Sequence, residues 1–164
     1  MADSLVGHIN FASSDGATRS GYHEGAEKVC VLGATGSIGL STLNVIQQHP
    51  DRYSVFALTA NHNHQDMLTL CHQYQPEFAV MVDEDSAEQL ALAVTSAGLD
   101  VVVLAGREAL IDVAAHQCVD IVMAAIVGAA GLEANLAAAS QGKKVLLANK
   151  ESLVMSGELF MKQV

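Results

Sequence analysis

The chain has 164 residues, 51% of them hydrophobic, with 4% aromatic and no tryptophan. This length supports one domain with a real core, and a composition dominated by alanine, valine and leucine suits a buried parallel sheet flanked by helices. The formal net charge of −10 argues against nucleic acid or a membrane surface as partner, since both need a positive field; any phosphate site must be local, built from backbone amides and one or two cations.

Met1 to Glu27 is rich in Gly, Ser, Ala and His and shows no sustained period. It lacks the basic start and apolar stretch of a secretory signal, and Asp3, Asp15, Glu24 and Glu27 argue against a transit peptide. Residues 1–27 are expected to be a flexible leader without function, a cloning-vector origin being one alternative. From Lys28 onward the pattern alternates. Strands are expected at Lys28–Leu32, Tyr53–Thr59, Phe78–Val82, Val101–Leu104, Ile121–Ala124 and Lys144–Leu147. Helices are expected at Ser37–His49, His64–Gln75, Asp85–Ala97, Arg107–Gln117 and Leu132–Gln141, with a last one starting near Ser152. Short apolar strands separated by helical runs imply right-handed βαβ units and a Rossmann-like, doubly wound α/β fold with a mostly parallel sheet. Pro50 and Pro76 stand just past two helix ends, and Gly98 and Gly142 occupy C-cap positions.

The three cysteines, Cys30, Cys71 and Cys118, are widely spaced and lie in apolar or helical runs. They read as small buried hydrophobes, not as a zinc or redox motif, and suggest a reducing, cytoplasmic compartment. There is no run of about 18 apolar residues to span a membrane. The seven histidines form no metal-ligand constellation. Asp83, Glu84 and Asp85 fall at the start of the third helix, where acids favour the helix dipole.

The most informative segment is Gly33-Ala34-Thr35-Gly36-Ser37-Ile38-Gly39. It follows an apolar strand and opens a helix, the order in which a dinucleotide's pyrophosphate is held. Glycine reaches positive φ and lets backbone N–H groups approach phosphate oxygens, which then face the positive helix end. A tight turn that packs helix on sheet explains Gly33 and Gly39 but leaves Gly36 unexplained.

About 20 residues beyond such glycines, NAD-preferring domains place a carboxylate on the ribose hydroxyls. This chain has Thr59-Ala60-Asn61-His62-Asn63-His64 there and no acid before Asp66. Asn61, His62 and Asn63 can donate to phosphate oxygens, so NADP(H) is the expected cofactor; a polar loop with an Asn cap is the alternative. The run from Met123 to Gly131 is small enough for a cofactor ring to lie close, or for helix and sheet to pack closely. Near the end stand Asn149, Lys150 and Glu151. Asn149 and Glu151 also read as a cap and a first-turn acid. Lys150 at a helix's positive end costs roughly 0.3–1 kcal/mol, which favours an anionic or polar substrate in the same cleft.

Taken together, Gly33 to Gly39, Ser41-Thr42-Leu43, Met123 to Gly131 and Leu147-Ala148-Asn149-Lys150-Glu151-Ser152-Leu153 closely resemble the 1-deoxy-D-xylulose 5-phosphate reductoisomerase family. The resemblance runs from about Lys28 to the end and covers that enzyme's N-terminal NADPH-binding domain. It implies an NADPH-dependent rearrangement and reduction of 1-deoxy-D-xylulose 5-phosphate to 2-C-methyl-D-erythritol 4-phosphate, in the non-mevalonate route to isoprenoids. It implies a divalent metal, Mg or Mn, on the phosphosugar substrate, and a homodimer. Carried over, it implies cofactor contacts from Thr35, Gly36, Ser37, Ile38, Asn61, His62, Asn63, Asn149 and Glu151, and a substrate contact from Lys150. Family members often have Gly-Lys-Asn where this chain has Asn61-His62-Asn63, so a fixed charge is replaced by one that depends on pH. The family's metal carboxylates and substrate-phosphate residues lie beyond the matched region, so this chain alone is expected to hold no catalytic residue or metal and to be inactive. Two other readings are an oxidoreductase of another kind, such as a semialdehyde dehydrogenase with a catalytic cysteine, and a non-enzymatic nucleotide-sensing module.

Overall fold

The computed structural model describes residues 25–126 and 131–148. Strands and helices alternate throughout. They are β1 (Glu27–Leu32), α1 (Ser37–Gln48), β2 (Tyr53–Ala60), α2 (His64–Tyr74), β3 (Phe78–Met81) and α3 (Glu84–Ser96), then β4 (Val102–Ala105), α4 (Gly106–Ala115), β5 (Ile121–Ala124), α5 (Leu132–Ser140) and β6 (Lys144–Leu147). These match the sequence-based segments with ends displaced by at most two residues. The expected helix near Ser152 lies outside the described residues. The sheet order is β4-β3-β2-β1-β5-β6, and all five pairings are parallel. The mostly parallel, doubly wound fold expected from the alternation is therefore present.

Local chemistry sets the helix ends. Asn63 caps α2 by accepting from the Asp66 N–H, and Asp83 caps α3 by accepting from the Ser86 N–H, with Glu84 and Asp85 in its first turn. The α2 helix ends at Gln75, whose φ of 45° is left-handed, and Pro76 follows. Past α3, Gly98 takes a φ of 65° as a helix-ending glycine should.

The sheet buries both faces. Alternate β1 residues show how: Val29 and Val31 join Leu43, Met67 and Leu90 in one core. Cys30 and Leu32 join Leu110, Val113 and Ala138 in the other. The first core lies under α1, α2 and α3, the second under α4 and α5. Each fully buried Leu, such as Leu43 or Leu90, contributes about 1.5–3 kcal/mol relative to exposure. From β1 the chain winds outward through β2, β3 and β4, then returns to pair β5 on the other side of β1. The winding direction reverses between β1 and β5, which opens a crevice at their carboxyl ends.

Candidate nucleotide-binding site

The glycine turn lies at that crevice. Gly33 leaves β1 with a φ of 81°, and a Cβ there would sit 3.0 Å from the Ala125 carbonyl oxygen at the end of β5. Its N–H donates to the Thr59 carbonyl and to the Thr59 hydroxyl oxygen, both at 3.1 Å. The Ala34 N–H donates to the same carbonyl at 2.8 Å. The turn closes when the Gly36 N–H reaches the Gly33 carbonyl at 3.2 Å. Gly36 then occupies the N-cap of α1, with no side chain over the helix end.

The first amide to bond back to the N-cap carbonyl is that of Leu40, to Gly36 at 2.9 Å. The amides of Ser37, Ile38 and Gly39 precede it and lack intrahelical acceptors. There is no acid in the first turn of α1, so no carboxylate competes for the helix's positive end. The Ser41 and Thr42 hydroxyls point back along the helix, donating to the carbonyls of Ser37 and Ile38. Such an end is chemically ready for an anion.

A cleft of about 360 Å³ opens over the turn. Gly33, Thr35 and Gly36 form its floor, and Ala125 and Ile126 follow β5. Its other end is walled by Thr59, Ala60 and Asn61 after β2, Val82 after β3, and Arg107 and Leu110 of α4. One end is thus glycine-rich, and the other mixes Thr59, Asn61 and Arg107 with apolar side chains.

The sequence-predicted residues distribute unevenly around it. Thr35, Gly36 and Asn61 line the cleft. Ser37 and Ile38 stand beside it in the first turn of α1, where their backbone amides are the relevant groups. The Asn63 side chain is committed to α2: its oxygen accepts from the Asp66 N–H and its nitrogen donates to the Asp66 carboxylate. His62 is 71% exposed, and its Nδ1 lies 3.6 Å from Asp83 Oδ1. Asp83 is held below its ordinary carboxylate pKa, mainly by the Ser86 hydroxyl and backbone N–H, with His62 adding to the effect. The acids at 83–85 were expected only to serve the helix; Asp83 also faces the β2 loop. Asn149, Lys150 and Glu151, and residues 127–130 of the small-residue run, lie outside the described residues.

Sequence reasoning missed two polar cleft residues, Thr59 and Arg107. Thr59 was read only as the end of a strand, yet it is fully buried and anchors the glycine turn. A hydroxyl closing an otherwise apolar strand was the available signal. Arg107 was read only as the start of a helix. Its position just past the carboxyl end of β4 was the signal, because ligands of such sheets bind there. Arg107 forms a two-point ion pair with Glu133 of α5, with Nη2 to Oε1 at 2.9 Å and Nε to Oε2 at 3.0 Å.

The cysteines do not serve this cleft. Cys30 and Cys71 are buried, and burial pushes each thiol up to about 12, far from the thiolate a nucleophile needs. Cys118 was expected in a helical run but lies in the turn after α4. It precedes β5, whose entry residue Asp120 bonds to Lys28 at the amino end of β1. That is the end of the sheet opposite the cleft. Among the described residues there is no group of three His, Cys, Asp or Glu side chains placed to hold a metal ion. Among them, too, no helix is long and apolar enough to cross a membrane.

Comparison with known proteins agrees with this geometry. The family model described as 1-deoxy-D-xylulose 5-phosphate reductoisomerase matches residues 29–157. The enzyme of that name from Aromatoleum aromaticum is 57% identical over 138 residues, which are 84% of this chain and 34% of the relative. A crystal structure of DOX-P reductoisomerase in complex with NADPH, fosmidomycin and magnesium is 50% identical, with a TM-score of 0.79 over 84% of this chain and 33% of that one. The Zymomonas mobilis reductoisomerase in complex with NADPH is 47% identical, with a TM-score of 0.79 over 85% of this chain and 36% of that one. The chain thus spans about a third of the length of these relatives. With the glycine turn, the sheet order and the matched residues in agreement, this chain belongs to the 1-deoxy-D-xylulose 5-phosphate reductoisomerase family.

Proposed function

We propose that this chain is the NADPH-binding part of a 1-deoxy-D-xylulose 5-phosphate reductoisomerase. The observation that carries the reading is the glycine turn at the β1–β5 switch point, with the amides of Ser37, Ile38 and Gly39 unpaired within α1. These amides, with Thr35 and Gly36, take the cofactor diphosphate. Asn61 and His62 take the adenosine ribose phosphate, and Asn63 contributes chiefly by fixing the start of α2 beside it. No acid stands between the end of β2 and Asp66, so NADPH is preferred over NADH. Beyond the described residues, Asn149 and Glu151 contact the cofactor side and Lys150 the phosphosugar. NADPH supplies the hydride that reduces the rearranged aldehyde; this chain's residues bind and orient it.

The whole enzyme's activity, its phosphosugar substrate and its divalent metal belong to the same reading, on the strength of the relatives; a homodimeric state is what the family resemblance implies, and a cytoplasmic location follows from the unpaired cysteines. The described residues offer no metal-ligand cluster, so no metal-dependent step is assigned to them. The 164-residue chain by itself binds NADPH without turnover. Calorimetric titration with NADPH and NADH tests this directly. NADPH binding tighter than NADH, with no substrate-dependent NADPH oxidation, is the expected result. Equal or tighter NADH binding overturns the preference, an empty site at saturating NADPH overturns the reading, and oxidation well above background overturns the predicted inactivity.

A further inference from the structure

A phosphate-bearing ligand in a chain of net charge −10 needs a local cation, and the loop after β2 offers none of fixed charge. Among the described residues lining the cleft, Arg107 alone carries a fixed charge. It lines the cleft from the first turn of α4. Its guanidinium is occupied by Glu133, but both side chains are more than half exposed, at 60% and 54%. Water screens an exposed pair of this kind, so it is held only weakly. A phosphate offers the same two-point geometry with greater charge, so exchange of one partner for the other costs little. Placing a cation in the first turn of α4 is itself unfavourable, and Glu133 relieves that until a stronger anion arrives.

We propose that Arg107 is a binding residue for a phosphate group of the dinucleotide, exchanging its Glu133 partner for the ligand. This rests on the nucleotide-binding reading above and adds a residue and an exchange step to it. Both the diphosphate and the ribose 2′-phosphate present the chemistry Arg107 recognises. The two sources are separated by comparing NADPH with NADH.

The test is titration of the 164-residue chain and its Arg107→Met, Arg107→Lys and Glu133→Gln variants, with circular dichroism checking that each is folded. Arg107→Met is expected to weaken NADPH binding at least fivefold. Arg107→Lys, which keeps the charge but loses the two-point fork, is expected to recover part of it, and Glu133→Gln to tighten binding at least twofold by freeing the guanidinium. A loss for NADPH and NADH alike assigns the diphosphate; a loss for NADPH only assigns the 2′-phosphate. Unchanged affinity in Arg107→Met overturns the proposal. A separate arm titrates inorganic pyrophosphate and adenosine 2′-phosphate while following the Arg107 Nε–H NMR signal. Movement with at least one of them is expected, and a signal stationary with both overturns the proposal. If the unsubstituted chain fails to bind NADPH, the nucleotide reading falls, and this arm still decides Arg107.

Discussion

A Cβ built on Gly39 would stand 2.3 Å from the Gly33 carbonyl oxygen. The first turn of α1 therefore lies directly on the turn that leaves β1, and no side chain fits between them. The neighbouring atoms are backbone, Gly33 and Ala34 alike, so relief requires the turn itself to move.

Gly39→Ala is accordingly expected to destabilise the fold by about 3 kcal/mol, the upper part of the range for overpacking. It should also displace the amides of Ser37 and Ile38 from the cleft and remove nucleotide binding. Urea unfolding with a parallel NADPH titration checks both effects, and an unshifted midpoint counts against the packing argument.

Thr59→Val keeps the shape of a fully buried side chain but deletes the oxygen that accepts from the Gly33 N–H at 3.1 Å. The Thr59 carbonyl still accepts from that N–H, so the turn is loosened without being released. The expected loss is about 0.5–1.5 kcal/mol, accompanied by weaker NADPH binding. Thermal unfolding measures the first, and retained affinity at reduced stability would limit Thr59 to a structural part.

His62 lies 3.6 Å from Asp83 at the end of β2. A lysine at this position would bring a fixed charge toward the ribose phosphate. His62→Lys is therefore expected to tighten NADPH binding, with NADH affinity changing less. Equal gains for the two cofactors would show that residue 62 does not meet the extra phosphate.

His116 is 8% exposed and packs against Phe56, with ring centroids 4.8 Å apart. Burial lowers its pKa below the ordinary 6.5; Glu77 opposes the shift, while Lys143 and Lys28 add to it. The Cys118 N–H donates to its Nδ1 at 3.2 Å, a bond that requires that nitrogen to be unprotonated. The unfolded chain binds this proton more readily than the folded one. Stability from this group is present above pH 6.5 and is lost as pH falls through the lower folded value. Urea midpoints at about pH 7.5 and 5.5 should differ in that direction, and His116→Gln should remove part of the difference.

The period of the apolar residues was enough to place every described strand and helix. Strands such as Ile121–Ala124 and Lys144–Leu147 have the bounds read from sequence, because a parallel sheet buried on both faces demands short continuous apolar runs. Gly33 and Gly39 were legible for a similar reason, since a close backbone approach requires glycine wherever it occurs. What the sequence could not supply was which distant residues meet. Thr59 reaches Gly33 only because β2 lies beside β1, and Arg107 reaches the cleft only because α4 starts past the carboxyl end of β4 and packs beside α5. Asn63 differs from Asn61 for the same reason: one turns into its own helix and the other toward the cleft. Local pattern determines which segments form, because it is written in neighbouring residues. Partnerships across the sheet depend on strand order and winding direction, which only the assembled fold decides.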